Sequence, residues 1–177
     1  QLLFNIRNKG CRMLRFGLET GSQDVLNLMK KGIHIDVAQQ ILQKVHESGI
    51  KNHVYIMFGY LGEPTANREE TLAFLEKNKS FISSYGISMF EPLPGTPVYY
   101  EVERLLKSQG ISCVTEDDVF NYIYPSDKVI QEVMTFIDRA KQILGSNTQF
   151  DFSEKIDSGL SSKYTGTSLF EYYPDKV

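Results

Sequence analysis

The stretch RFGLETGSQDVLNLMKKGIH, residues 15–34, decides the fold class of this sequence. It begins inside the run RMLRFGL, residues 12–18, whose apolar content is typical of a strand buried by helices. After Glu19 the apolar residues recur at helical spacing, and Ser22 is a candidate N-cap for that helix. A strand that ends in a carboxylate and turns on glycine into a helix predicts one βα unit.

The same alternation continues along the chain. Further strands are predicted at 51–58 and 86–93. Helices are predicted at 36–48 before these strands, at 68–78 between them, and at 96–110 and 126–144 after them. Strands that alternate with helices favour parallel pairing, because parallel neighbours need a crossover connection. The sequence therefore predicts an α/β fold of three or four parallel strands with flanking helices.

Composition limits the classes of protein and partner. The chain has 177 residues, is 41% hydrophobic and carries a net charge of −3, which predicts one domain and gives no basic field for nucleic acid or an anionic membrane. No apolar run approaches the roughly 20 residues that span a bilayer, and the first residues lack the apolar core of a signal peptide. We therefore expect a cytoplasmic protein. Cys11 and Cys113 belong to no cluster that would bind a metal.

Three predicted strand ends carry glycine beside an acidic residue. Ligands of parallel α/β sheets bind beyond the carboxyl ends of the strands, where such loops gather. Structural explanations compete at each loop: Glu19 could favour the following helix N-terminus, Glu63 could be solvated, and Glu91 could pair with a lysine. The segments are 19–22, 59–63 and 91–96.

The ordered segments FGLETGSQDVLNLMKKGI, YIMFGYLGEP and FEPLPGTPVY resemble the second half of the radical S-adenosylmethionine (SAM) core. The resemblance covers residues 2–106 and is nearest to the branch with methylthiotransferases and cobalamin-dependent enzymes. It implies that these segments follow the fourth, fifth and sixth strands of a partial (β/α) barrel. Residues 1–110 are then the C-terminal half of the barrel, and 111–177 a helical C-terminal extension packed on the same domain.

The resemblance also implies a cofactor site. Glu19, with Ser22 nearby, would contact the ribose hydroxyls or amino group of SAM. The segment after the second strand would lie against adenine, and the segment after the third would border it. Two residues depart from the family pattern: Leu61 stands where the related pattern has proline, and Pro64 where it has threonine. The implied adenine contacts are Ile56, Met57, Gly59, Pro92 and Leu93.

The cysteine loop that defines the family is absent. A C-x-x-x-C-x-x-C loop provides three thiolates for a [4Fe-4S] cluster, and this sequence has no such motif. We interpret the chain as a piece of a larger Fe-S oxidoreductase, with the N-terminal half of the barrel as its missing partner. The full-length enzyme would cleave SAM to a 5′-deoxyadenosyl radical that abstracts a substrate hydrogen, and the isolated chain should be inactive. No residue is assigned to catalysis or to a metal.

Other functions stay open at this stage. One alternative is a noncatalytic α/β module that binds a nucleotide or a protein. A half-barrel of a phosphate-handling enzyme is disfavoured, because no glycine-rich loop has P-loop or dinucleotide spacing. The sequence does not identify the substrate, and it leaves the use of cobalamin or a second cluster open.

Overall fold

Parallel pairing arranges three strands into one sheet. The computed structural model describes residues 1–145, and no helix within that range is long and apolar enough to cross a membrane. The strands are β1 (Met13–Glu19), β2 (Lys51–Phe58) and β3 (Ser84–Met89), with β2 in the middle. The helices are α1 (Leu2–Asn8), α2 (Gln23–Leu28), α3 (Ile35–Glu47), α4 (Thr65–Asn78), α5 (Pro97–Ser108), α6 (Glu116–Ile123) and α7 (Asp127–Leu144), and a 3-10 turn, Lys79–Phe81, precedes β3.

The helices act as the crossovers that parallel strands require. The chain passes from β1 through α2 and α3 to β2, and from β2 through α4 to β3. Each crossover returns the chain to the amino edge of the sheet, so every strand runs in the same direction. The predicted α/β class is confirmed, and three parallel strands with flanking helices are consistent with a partial barrel.

Two elements differ from the sequence prediction. The third strand was predicted at 86–93, but β3 begins at Ser84 and ends at Met89. Pro92, which has no N–H to donate to a ladder, lies in the predicted part that is not strand. The helix α6 was not predicted. Its start has a clear signal, since Thr115 and Asp118 form a reciprocal capping box that satisfies exposed N–H groups of the first turn.

One face of the sheet forms the main core with the helices. Alternate residues of β2, Val54, Ile56 and Phe58, are at most 2% exposed and belong to the same cluster as residues of α4 and α7. The ring of Phe58 lies 6.2 Å from that of Phe136 on α7, measured between centroids. Each fully buried side chain of this kind contributes about 1.5–3 kcal/mol relative to exposure to water. This layer fixes the strands against the helices.

The opposite face of the sheet is less buried. The intervening residues of β2, Tyr55 and Met57, are partly exposed, and Arg15 and Gly17 of β1 are exposed. Side chains alternate between the two faces of a strand, so these residues point away from the main core. The sheet therefore has one helix-covered face and one face on which β1 and β2 are partly exposed.

A smaller cluster joins α5 to α6. It consists of Tyr99, Val102 and Leu106 from α5 and Val119 from α6, all of them buried. These contacts cross residue 110, where the sequence predicted a division between barrel and extension, and that division stays a prediction. The remaining part of the predicted extension, 146–177, lies outside the described residues.

Gly21 allows the loop after β1 to lie against α4. A Cβ atom at Gly21 would lie 2.6 Å from the Cβ of Phe74 and 2.8 Å from the Cα of Thr71. Both neighbours belong to α4, and the second is a backbone atom that cannot move aside alone. The close approach explains why the residue after Thr20 has no side chain.

We expect Gly21→Ala to destabilise the fold by about 2–3 kcal/mol, because the added methyl group would force the loop away from α4. Gly17→Ala is the matched control. Its Cβ would meet only the movable Glu19 carboxylate, at 2.7 Å, so its cost should stay below about 1 kcal/mol. Urea unfolding of the two variants measures the difference, and equal midpoints would contradict this view of Gly21.

Candidate functional site

The carboxyl ends of the three strands meet at one edge of the sheet. We call the segments beyond this edge, 19–22, 59–63 and 90–96, the rim. Glu19 pairs with Ile56 in the ladder, and Phe58 pairs with Met89. The amide of Phe90 then donates to Phe58 O at 2.8 Å, which continues the contact past the end of β3. The rim therefore brings together loops that are far apart in sequence.

Glu19 has a strained backbone. Its φ is +69°, and the amide of Thr20 donates to Leu18 O at 2.9 Å, which defines a γ-turn centred on Glu19. Turns of this left-handed kind are rare and strained for a residue with a side chain, at a cost on the order of 1–3 kcal/mol. The ladder also shifts register between Gly17 and Glu19. Such strain is concentrated at functional sites, so Glu19 is a candidate functional residue.

The Glu19 carboxylate lies back over its own strand. Lys31 Nζ donates to Glu19 Oε1 at 2.8 Å, and the same oxygen would lie 2.7 Å from a Cβ atom at Gly17. The Glu19 side chain is 13% exposed and that of Lys31 is 41% exposed. An ion pair this accessible contributes about 0–1 kcal/mol, which is too little to account for the strained turn. Stability alone therefore does not explain a glutamate here.

Buried hydroxyl groups hold the Glu19 turn on its other side. Thr20 and Thr71 are fully buried, and their Oγ1 atoms are 2.8 Å apart. Thr71 donates to Asn67 O and accepts from the amide of Gly21, so the proton in the threonine pair comes from Thr20. Thr20 in turn accepts from the amide of Ser22. Every hydroxyl is satisfied, and the turn is tied to α4.

Ser22 occupies the N-cap position of α2, as predicted, but its side chain makes no capping hydrogen bond. Its hydroxyl instead donates to Glu70 Oε2 at 2.5 Å and accepts from Asn67 Nδ2 at 2.7 Å. Both partners lie on α4, so tertiary contacts replace the local cap. The role of Ser22 near a cofactor stays a prediction, and its only proton is already donated to Glu70.

Ile56 and Met57 lie on opposite faces of β2. Ile56 is 2% exposed and belongs to the helix-covered core, whereas Met57 is partly exposed on the other face, which also carries Gly17. Both were predicted to contact adenine, and both stay predictions. Of the two side chains, only that of Met57 is accessible from outside the core.

The loop after β2 is organised by Glu63. Gly59 has φ +87°, and its amide donates to Glu63 Oε2 at 2.6 Å. Glu63 is 6% exposed, so the expectation of a solvated loop residue is wrong. Burial raises the pKa of the Glu63 carboxyl, while the Gly59 amide and Arg68 oppose that rise. The carboxylate is buried because it accepts the hydrogen bond of the Gly59 amide within this turn.

Arg68 extends the Glu63 contact to two helices. From α4, its Nε lies 3.2 Å from Glu63 Oε2, and its Nη1 lies 3.0 Å from Glu132 Oε1 on α7. The Arg68 side chain is only 9% exposed, so this charge needs both carboxylates. The two family departures do not disturb this arrangement: Leu61 packs against the α5–α6 cluster, and Pro64 precedes α4.

The loop after β3 contains two residues predicted to border adenine, one of them buried and the other exposed. Pro92 is buried and Leu93 is 48% exposed. Glu91 is exposed, and among residues 1–145 it makes no ion pair with a lysine. The structural explanation that Glu91 pairs with a lysine is therefore wrong for this part of the chain. Thr96 caps α5 by accepting from the amide of Tyr99, as the Thr-Pro start predicted. The adenine contacts of Pro92 and Leu93 stay predictions.

Residues 2–75, which contain β1, β2 and most of α4, match the family model described as the Radical SAM superfamily. These residues belong to the radical SAM superfamily. The predicted family is thereby confirmed for the segment that carries Glu19 and Gly59. The loop after β3 and helices α5 to α7 lie beyond the matched residues.

A bacteriochlorophyllide d C-12(1)-methyltransferase from Chlorobaculum tepidum is similar to this chain. The two are 26% identical over 121 residues, which is 68% of this chain and 25% of the methyltransferase. The chain therefore spans about a quarter of the length of that relative. The aligned length is greater than that of the radical SAM match, so the likeness is not confined to residues 2–75.

The residues of this chain do not fit the iron-sulfur cluster that radical SAM enzymes use. Cys11 and Cys113 are the only cysteines in the sequence, and both are free thiols. Residues 1–145 contain no group of three or more potential ligands that could hold a metal ion. Two thiolates cannot replace the three that a radical SAM cluster requires. Its ligands are not supplied by this chain.

Tyr124 belongs to the site but was missed by the sequence prediction. Its hydroxyl lies 3.0 Å from Gly59 O and 2.7 Å from Phe90 O, so it contacts two segments of the rim at once. The partners are separated by 65 and 34 residues in sequence, and no local pattern identifies such a contact.

We expect the stability of Glu63→Gln relative to wild type to increase with pH. Because the folded-state pKa of Glu63 is raised, the folded chain holds this proton more tightly, and the stabilisation is lost as pH rises from the ordinary carboxyl range, near 4.5, through the raised value. Glutamine keeps an oxygen acceptor for Gly59 and carries no charge to bury. Urea unfolding at several pH values measures the difference.

Glu47→Gln provides the control for that series, because Glu47 is exposed on α3 and its contact with Gln43 can be kept by an amide. Its difference from wild type should show little change with pH. A pH-independent difference for Glu63→Gln as well would show that the burial of Glu63 does not shift its protonation.

Proposed function

We propose that this chain provides the adenosyl-binding half of a radical SAM enzyme. The whole enzyme would need a [4Fe-4S] cluster held by residues outside this chain, which would supply one electron for reductive cleavage of SAM to methionine and a 5′-deoxyadenosyl radical that abstracts a substrate hydrogen. The observation that carries the proposal is the strained Glu19 turn at a rim within a segment of this superfamily. A costly backbone conformation that places a carboxylate at the ligand-binding edge favours binding over a structural role.

The chemistry of the rim suits an adenosyl group. Glu19 offers acceptor oxygens for ribose hydroxyls or for the ammonium group of SAM, and its charge favours a cationic sulfonium ligand. Met57 and Leu93 offer exposed apolar surface for the adenine ring. Gly59, between them, contributes no side chain of its own to the loop. SAM would therefore be oriented across the three loops.

A ligand that binds Glu19 would compete with the ammonium group of Lys31. Its Nζ now donates to Glu19 Oε1, so a ligand hydroxyl or ammonium group would share or replace that contact. The Lys31 side chain is 41% exposed and flexible, which makes its displacement inexpensive.

We further propose that the cluster-binding half of the barrel docks along β1. This strand lies at an edge of the sheet, so one side of its backbone has no neighbouring strand within residues 1–145. A cavity of about 320 Å³ adjoins it, lined largely by apolar residues that include Phe16, Leu18 and Ala38. Val37 and Ile41 on α3 also line it and are 49% and 42% exposed. A further βα unit would cover this apolar surface and satisfy the free edge.

The reaction class to test first is methylation. The similar Chlorobaculum protein is named as a methyltransferase, and this chain covers a quarter of it. We therefore propose SAM-dependent methyl transfer as the activity of the whole protein. Cobalamin is a candidate second cofactor, and the substrate is either a small molecule or a macromolecule. The lack of cluster ligands in this chain favours one alternative, a noncatalytic nucleotide-binding module.

The deciding experiment uses the protein expressed from its whole reading frame. It is purified without oxygen, reconstituted with iron and sulfide, and reduced in the presence of SAM. We expect a [4Fe-4S] cluster and formation of 5′-deoxyadenosine. A protein that binds SAM but forms no cluster would favour the noncatalytic module, and one that binds neither would overturn both functions.

We expect Glu19→Ala in that protein to weaken SAM binding about tenfold, because charge-assisted hydrogen bonds to the ligand are lost. Glu47→Ala removes an exposed glutamate from α3 and is the matched control, with unchanged affinity. Calorimetry with SAM compares the two. Equal dissociation constants would remove Glu19 from the binding site.

A further inference from the structure

Tyr124 lies where the ends of β2 and β3 come closest to α6. It follows the last residue of α6, is 2% exposed, and is outside the residues that match the radical SAM model. Its hydroxyl contacts Gly59 O at 3.0 Å and Phe90 O at 2.7 Å. One side chain from outside the matched segment thus joins two loops of the rim.

We infer that Tyr124 is a positioning residue for SAM, which sets the spacing between the loops after β2 and β3. The inference rests on the proposed function and deepens it. Tyr124 acts through Gly59 and Phe90, and it does not touch the ligand. Helices beyond the matched segment are accordingly part of the cofactor site.

The contacts of Gly59 support this role. Its amide donates to Glu63 Oε2 at 2.6 Å, and its carbonyl accepts from Tyr124. Both polar backbone atoms of Gly59 are therefore engaged within the protein. A ligand at this point meets a loop whose shape is fixed by Glu63 and Tyr124.

The Tyr124 ring also fixes that shape by contact. A Cβ at Gly59 would lie 2.8 Å from the Tyr124 hydroxyl and 3.1 Å from Cε1 of the ring. Gly59 adopts φ +87°, a conformation that residues with a side chain rarely adopt. The backbone and the ring therefore leave no room for any other residue at position 59.

Three helices support the clamp formed by Tyr124, Glu63 and Arg68. Arg68 from α4 contacts Glu63 at 3.2 Å and Glu132 on α7 at 3.0 Å, and Tyr124 follows α6. Burial raises the pKa of the Tyr124 hydroxyl, so it stays protonated and able to donate near neutral pH. The hydroxyl has one proton for two carbonyls, which couples the positions of the two loops.

The test compares Tyr124→Phe with Tyr122→Phe in the reconstituted protein from the whole reading frame. Tyr124→Phe keeps the ring over Gly59 and removes only the hydroxyl, and we expect about tenfold weaker binding of SAM by calorimetry. Tyr122 is 38% exposed on the same helix, and Tyr122→Phe should bind SAM like wild type.

Two further measurements separate positioning from a purely structural role. Adenosine should bind more weakly to Tyr124→Phe while L-methionine is unaffected, because only the adenine side of the rim is displaced. Glu63→Ala, which removes the acceptor of the Gly59 amide, should also bind SAM about tenfold more weakly, whereas Glu47→Ala, which removes an exposed glutamate of α3, should bind like wild type.

Wild-type affinity for SAM in Tyr124→Phe, with or without a fall in its unfolding free energy, would overturn the inference. So would equal affinities of Glu63→Ala and Glu47→Ala for SAM. Failure of the wild-type protein to bind SAM is a different result, because it overturns the proposed function and the inference together.

Discussion

The buried hydrogen bond between Thr20 and Thr71 is the interaction on which the candidate site depends. It joins the residue after Glu19 to α4 at 2.8 Å, in a place closed to water. Buried hydroxyl groups are costly unless all of them are satisfied, and here each has its partners. The turn at Glu19 is therefore held from one side, although the ion pair on its other side is accessible to solvent. Loss of this contact would let β1 end in a relaxed conformation.

The second loop of the rim follows the same principle with charges. Glu63 and Arg68 are both poorly accessible, and each would be strongly unfavourable alone. Glu63, paired with Arg68, accepts a hydrogen bond from the Gly59 amide, and the Tyr124 hydroxyl contacts the Gly59 carbonyl. Helix α4 supplies partners to both loops, through Thr71 and Arg68, so the rim is preorganised by one helix that lies beside it. Preorganisation of this kind reduces the ordering cost when a ligand binds.

Much of the fold follows from local patterns in the sequence. The bounds of β2 agree with its run of β-branched and aromatic residues, and the alternation of elements gives the parallel sheet. The Glu19, Gly59 and Pro92 loops were expected at one edge, since parallel strands leave no other arrangement. The sequence analysis did not predict that Glu63 is buried or that the Ser22 hydroxyl bonds to α4. It also did not predict the contacts of Tyr124 with two loops. Each depends on a partner far away in sequence, which periodicity and capping rules do not contain.

The exposed edge of β1 has a consequence for the behaviour of this chain in isolation. Within residues 1–145 the outer backbone groups of β1 have no neighbouring strand and run beside an apolar cavity, and a second molecule could extend the ladder there by intermolecular β-pairing. A chain expressed without a partner for that edge would tend to self-associate, to an extent that increases with protein concentration. Charged substitutions at the exposed Val37 or Ile41 would oppose such aggregation without touching the rim.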